Sequence, residues 1–252
     1  MEQIWFLPRE LGLKMSPINV VTVEMLADLP EPLRKYLKWS KVLGKPLVRR
    51  VTVKQTGRIR QTPQKPWMQF RATESYSIDP PGFVWDASAG YGRLPLFTVR
   101  DSYADGKGSM RVKLAGLFPV VNARGSEMDH SCAIRFLNEM MWFPSAFLHS
   151  NISWQAIDDN SAEVSLLAHA RTVSAKLFFD PDGRITNFFA RRYKDISTDS
   201  EPTLWSTPIT AYRTFCGLRL PAAGQAVWHL ESGDFTYIDL RVDEITYDWD
   251  GS

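Results

Sequence analysis

The chain has 252 residues, 44% of them hydrophobic and 23% charged, with a formal net charge of +2. This is a globular composition, and its charge balance gives no footing for nucleic acid. Its two cysteines, Cys132 and Cys216, are too few for a disulfide framework and have no metal spacing.

The opening stretch, "MEQIWFLPRELGLK", mixes Glu2, Pro8, Arg9 and Glu10 into its apolar residues, unlike a signal peptide. The longest apolar run, "LAGLFPVV", is well short of the ~20 residues of a membrane-spanning helix. The expectation is a soluble, cytoplasmic protein without an integral membrane segment. Residues 1–45 read as a helical prelude. Val23, Met25, Leu26, Leu29, Leu33, Tyr36 and Leu37 recur at helical spacing, broken at Pro30 and Pro32 and ended by Gly44.

From Pro46 the period changes from 3.6 to 2, and residues 46–252 read as a β-barrel within a single domain. "LVRRVTVKQTGRI" sets Leu47, Val51, Val53 and Ile59 against Arg50, Thr52, Lys54 and Arg58. "KGSMRVKLAG" sets Met110, Val112 and Leu114 against Ser109, Arg111 and Lys113. Turn signals recur as "DPPG", "ADG", "IDDNS", "DPDG" and "ESGD". About ten strands are expected at hairpin spacing. They are interrupted by one helix, 127–142, with Ser126 as N-cap of a capping box closed by Asp129. The fold class is therefore mainly β: an antiparallel barrel or half-barrel, with an N-terminal helix and a central helix covering the concave face.

Alternation makes three carboxylates conspicuous. In "MQFRATESYSID", Glu74 shares its face with Met68, Phe70, Ala72, Tyr76 and Ile78; in "LFTVRDSYADG", Asp101 shares its face with Phe97, Val99 and Tyr103. On the helix, Glu139 falls beside an apolar arc of Cys132, Ala133, Phe136, Leu137, Met140, Met141 and Phe143, one turn from Arg135. A buried charge must be paired, protonated or wet. Two readings stand for each of them. One is structural: a surface pair of Glu139 with Arg135, or pairs of Glu74 and Asp101 with tyrosine hydroxyls or with an inward arginine such as Arg191, which is in phase with Ile185, Phe189 and Tyr193. The other is functional: Glu74, Asp101 and Glu139 share an aromatic cavity whose burial raises their pKa and suits them to acid–base work. Tyr76, Trp85, Tyr103, Trp142 and Arg191 would then line it and bind the substrate. No glycine-rich phosphate loop, metal motif or nucleophile elbow is present, the four histidines have no metal-ligand spacing, and nothing points to a Ser–His–Asp triad. No cofactor and no metal are expected.

Several ordered strings, "LPEPLRKYL", "ESYSIDPPGFVWDA", "VRDSYADGKGSMRVKLAGLFPVV", "RFLNEMMWFPSAFL" and "GQAVWHLESGDFTY", resemble a bacterial family known as a domain of unknown function. The likeness runs from about Leu29 to Tyr247, and Glu74, Arg100, Asp101, Tyr103, Glu139 and Trp142 lie inside its strings. It implies no particular activity. The architecture also resembles the LolA-type lipoprotein-carrier half-barrels, an analogy of fold. Two functions follow as expectations. The first is a cofactor-independent isomerase, cyclase, lyase or hydrolase acting on a hydrophobic small molecule. The second is a non-catalytic carrier or sensor of a lipophilic ligand.

Overall fold

The computed structural model describes residues 19–92, 94–169, 171–195 and 200–249. The stretch read above as unlike a signal peptide lies outside them.

The prelude divides at its prolines. A 3-10 turn at Glu24–Leu26 precedes α1 (Glu31–Trp39). Pro32 does not break α1 but sits in its first turn, where a missing N–H costs nothing. The helix ends before Gly44, at Ser40 and Lys41, the latter with φ 64°. Leu33, Tyr36 and Leu37 are buried on its inner face, whereas Val23 and Met25 are exposed.

The rest is one sheet of fourteen strands, rather than the ten expected. In chain order they are β1 (Val48–Ile59), β2 (Met68–Ser77), β3 (Gly82–Tyr91), β4 (Leu94–Ala104), β5 (Lys107–Leu114) and β6 (Phe118–Ala123). After α2 (Ser126–Glu139) come β7 (Ile152–Asp158), β8 (Ser161–Ala168), β9 (Arg171–Phe179) and β10 (Ile185–Arg192). The last four are β11 (Thr203–Ser206), β12 (Ile209–Phe215), β13 (Leu218–Leu230) and β14 (Gly233–Trp249). The count exceeds the expectation where the pattern is weak. β11 has four residues and is parted from β12 at Thr207–Pro208, though both pair with β13. β6 is exposed along nearly its whole length and shows no alternation.

The strand order is β6-β5-β4-β3-β2-β1-β14-β13-β11-β10-β9-β8-β7, with β12 also on β13. The five turn signals all fall on hairpin links. β6 and β7 are the two edges, although they are neighbours in sequence. The chain between them must cross from one edge to the other, and it does so as α2 and two 3-10 turns, Met140–Trp142 and Pro144–Leu148. The helix packs against β4 and β5 on one arm and β8, β9 and β10 on the other, so the sheet curls around it as a half-barrel.

α2 starts one residue earlier than a Ser126 cap would place it. Gly125, at φ 122°, occupies the cap position and Ser126 is already helical, its Oγ bonded to Glu127. Asp129 cannot close a capping box because β5 takes its carboxylate: the Gly108 N–H donates to Oδ1 at 2.8 Å and the Lys107 ammonium reaches Oδ2 at 3.0 Å. Gly108 is needed there, since a Cβ would lie 2.5 Å from the Met128 carbonyl oxygen. Helical geometry ends at Glu139 and the last expected turn is 3-10, before Phe143 and Pro144.

Candidate functional site

Between α2 and the concave face lies a cavity of about 450 Å³. The helix contributes Met128, Ser131, Arg135, Asn138 and Glu139 to its wall, and the sheet contributes mainly apolar and aromatic side chains, among them Phe70, Trp85, Phe97, Val112, Trp205 and Trp228.

At its inner wall one guanidinium holds all three conspicuous carboxylates. Arg135 donates from Nη2 to Glu74 Oε1 at 2.7 Å, from Nη1 to Asp101 Oδ2 at 2.8 Å and from Nε to Glu139 Oε1 at 2.9 Å. The same group lies 4.9 Å from the Phe83 ring centroid and 5.0 Å from that of Trp85. The Glu139–Arg135 pair is thus an i,i+4 pair, but a buried one rather than a surface one. Strand phase places Glu74 and Asp101 correctly: both point inward and converge on the helix.

The three acids are not equivalent. Glu74 is fully buried and both its oxygens are taken, the second by the Gln55 amide at 3.2 Å, while Trp85 Nε1 donates to the other end of that amide at 3.1 Å. Asp101 and Glu139 line the cavity, and each keeps one buried oxygen, Oδ1 and Oε2, with no hydrogen-bond partner among the described residues. Arg192 Nε shares that condition, as does the Tyr76 hydroxyl, which faces Glu74 and Glu139 just beyond ordinary hydrogen-bond geometry. Buried polar atoms are rarely left so.

Burial raises the carboxyl pKa at Glu74, strongly, and also at Asp101 and Glu139; the Arg135 charge opposes it at each. For Arg135, burial pulls downward, but Glu139, Glu74 and Asp101 together hold it well above the usual guanidinium range. Three acids facing one arginine favour a proton shared within the cluster.

Of the expected lining residues, Trp85 and Trp142 lie on the cavity wall, with Trp142 Nε1 donating to the Pro221 carbonyl at 3.1 Å. Tyr76 and Tyr103 point inward but belong to the packed aromatic cluster beside α2. Tyr76 lies 4.8 Å from the Phe143 ring, Tyr103 6.4 Å from Phe136, and burial pushes the Tyr103 hydroxyl up to about 12. Arg191 does not line the cavity as expected: it is exposed and donates to the Pro202 carbonyl, and the arginine that lines the cavity is Arg192, over the Trp205 ring. A register irregularity between Ile185 and Asn187 shifts the phase of β10, so Phe188, Ala190 and Arg192 face in. Gln55 was legible, being in phase with Val51 and Val53 on β1. Arg135 was visible only as a partner of Glu139; that it serves three acids depends on how the strands converge.

One further arrangement could not be seen in the sequence. His229 Nε2 lies 2.9 Å from Ser206 Oγ, and its Nδ1 lies 2.7 Å from Asp234 Oδ1. The connectivity is that of a nucleophile triad, but the burial is reversed: Ser206 is 1% exposed, whereas the Asp234 side chain is 68% exposed. The chain of bonds fastens β11 to the β13–β14 hairpin.

A curled antiparallel sheet closed by a crossing helix, with a mostly apolar cavity between them, defines a cavity-forming half-barrel. The chain belongs to the DUF6544 family, a family of unknown function whose pattern matches residues 19–240. No curated protein matches it. Among solved structures, it is similar to a LolA superfamily protein from Nitrosomonas europaea: 10% identity over 91% of this chain and 94% of that one, TM-score 0.45. It is also similar to a DUF1329 family protein from Desulfovibrio piger: 10% identity over 87% and 94%, TM-score 0.47. At 10% identity neither likeness carries a ligand or an activity across. Among the described residues no helix is long and apolar enough to cross a membrane.

Proposed function

We propose that the protein binds a lipophilic small molecule in the half-barrel cavity, as a carrier or sensor, with the polar end of the ligand at Asp101 and Glu139. The observation that carries this reading is the character of the cavity: a mostly apolar, aromatic wall that meets the Arg135 cluster at its inner side. Its volume falls in the range usual for small-molecule sites. The Arg135 cluster supports binding over catalysis. Glu74 has no oxygen left for a substrate, and one oxygen on each of the other acids is committed to the guanidinium. What remains is one oxygen on each of Asp101 and Glu139, acceptors for a hydroxyl or ammonium group, with the Arg192 Nε–H as a donor at the same wall. A second reading, an acid–base enzyme using Asp101 and Glu139, draws on their raised pKa values at the cavity wall.

The test is a titration with a neutral fluorescent probe, N-phenyl-1-naphthylamine, on the wild type and on Val112→Trp, which fills the cavity from β5. Saturable binding by the wild type, weakened about tenfold or more in the variant, is the expected outcome. Equal binding by both proteins would place the probe elsewhere and remove the support.

A further inference from the structure

We infer that the hairpin end of the half-barrel docks on a membrane surface rich in anionic phospholipid. Strand register puts four hairpin tips at one end of the sheet: Ile59 pairs with Met68 and Ile238, Gln69 with Gly90, Phe97 with Leu114, and Leu230 with Gly233. Two adjacent tips, β3–β4 and β5–β6, are joined by a hydrogen bond from the Ala115 N–H to the Leu96 carbonyl. They carry Tyr91, Leu94, Leu96, Leu117, Phe118 and Val120, all exposed, with Leu94 at 80% and Leu117 at 74%. An apolar cluster of this kind, on tips where polar turn residues are the rule, marks an interaction surface.

Two observations select a membrane as the occupant. The first is charge. The convex face beside these tips carries Arg71, Arg100, Arg111 and Lys113 in one groove. Arg100 is paired with Asp86 at 3.1 Å, and the other three have no ion pair among the described residues. Lys113 lies opposite Thr98, two residues along the strand from Leu96, so cations border the apolar tips directly. Basic residues around inserted apolar side chains are what an anionic lipid surface attracts. The second is continuity. Ala89 and Phe97 line the cavity and stand within a few residues of Tyr91, Leu94 and Leu96 on the same strands, so the cavity wall runs out to the patch. A docked molecule would present its cavity to the bilayer surface.

The experiment is co-sedimentation of the protein with vesicles of phosphatidylcholine and phosphatidylglycerol, and with phosphatidylcholine alone. The variants are Leu94→Ser/Leu117→Ser/Phe118→Ser and Arg111→Glu/Lys113→Glu; all five positions are largely exposed, and circular dichroism confirms their folding. The wild type should bind the anionic vesicles, with each variant at least about tenfold weaker and with binding reduced by salt. Val112→Trp should bind vesicles like the wild type, which separates docking from cavity occupancy. Failure of the wild type to sediment with anionic vesicles would overturn the inference. So would unchanged binding by the apolar triple variant, or a concentration-dependent dimer that the same three substitutions abolish, since the patch would then join two copies of the chain.

Discussion

Replacing Arg135 with methionine should lower the stability of the fold by about 3–5 kcal/mol at neutral pH, because it leaves buried carboxylates without their counter-charge. The guanidinium contacts Glu74, Asp101 and Glu139, and none of these has another cation within ion-pairing distance among the described residues. The loss should depend on pH in a defined direction. Each of the three carboxyls has a raised pKa in the fold, caused first by burial and opposed by Arg135. A carboxyl with a raised folded pKa keeps a proton that the unfolded chain releases. Its contribution is therefore fully present below the ordinary carboxylate range and is lost as pH rises through the folded value. Removing the cation raises the folded values further. The deficit of Arg135→Met relative to the wild type should therefore be small near pH ~4.5 and grow toward pH ~7.5. Urea denaturation at both pH values measures it; a deficit independent of pH, or below about 1 kcal/mol at neutrality, would mean that the cluster does not hold charge as described.

Phe143→Ala should cost about 3–5 kcal/mol for a different reason, the cavity left in a packed aromatic layer. Phe143 is fully buried and lies 4.8 Å from the Tyr76 ring and 6.0 Å from that of Phe136. It stands where the chain leaves the 3-10 turn after α2, so its anchorage fixes how the crossing segment lies against the sheet. Guanidinium denaturation should show a lowered midpoint with little change in slope. A cost under about 1 kcal/mol would show that the crossing segment is not packed as the structure has it.

Much of the fold is written in periodicity. The alternation around Glu74 and Asp101 fixed their faces because both strands run without irregularity through those positions, paired in register with their neighbours on both sides. Arg191 was misplaced because β10 does contain one, and a single-residue shift exchanges the faces of everything beyond it. The strand count fell short where Pro208 interrupts pairing along β13 and where β6 has no buried face to impose a pattern. The Asp129 cap failed because β5, distant in sequence from the helix start, claims the carboxylate. The site divides the same way. Its acids are legible one strand at a time; their common partner is not, since Arg135 meets Glu74 and Asp101 only after the sheet has curled around α2. Ser206, His229 and Asp234 likewise come together through sheet pairing alone.

The cavity is mostly apolar, with hydrogen-bond acceptors at its inner wall. The measurement that tests this most directly is displacement of the bound fluorescent probe by three amphiphiles of equal chain length, an alkyl amine, an alkyl alcohol and a fatty acid. A polar end seated on the free oxygens of Asp101 and Glu139, rather than on the Arg192 Nε–H at the same wall, is favoured as a hydroxyl or ammonium and disfavoured as a carboxylate, so the amine and the alcohol should displace the probe about tenfold or more better than the acid. Asp101→Asn and Glu139→Gln should narrow that gap. A fatty acid that displaces the probe as well as the amine, or no displacement by any of the three, would contradict the account.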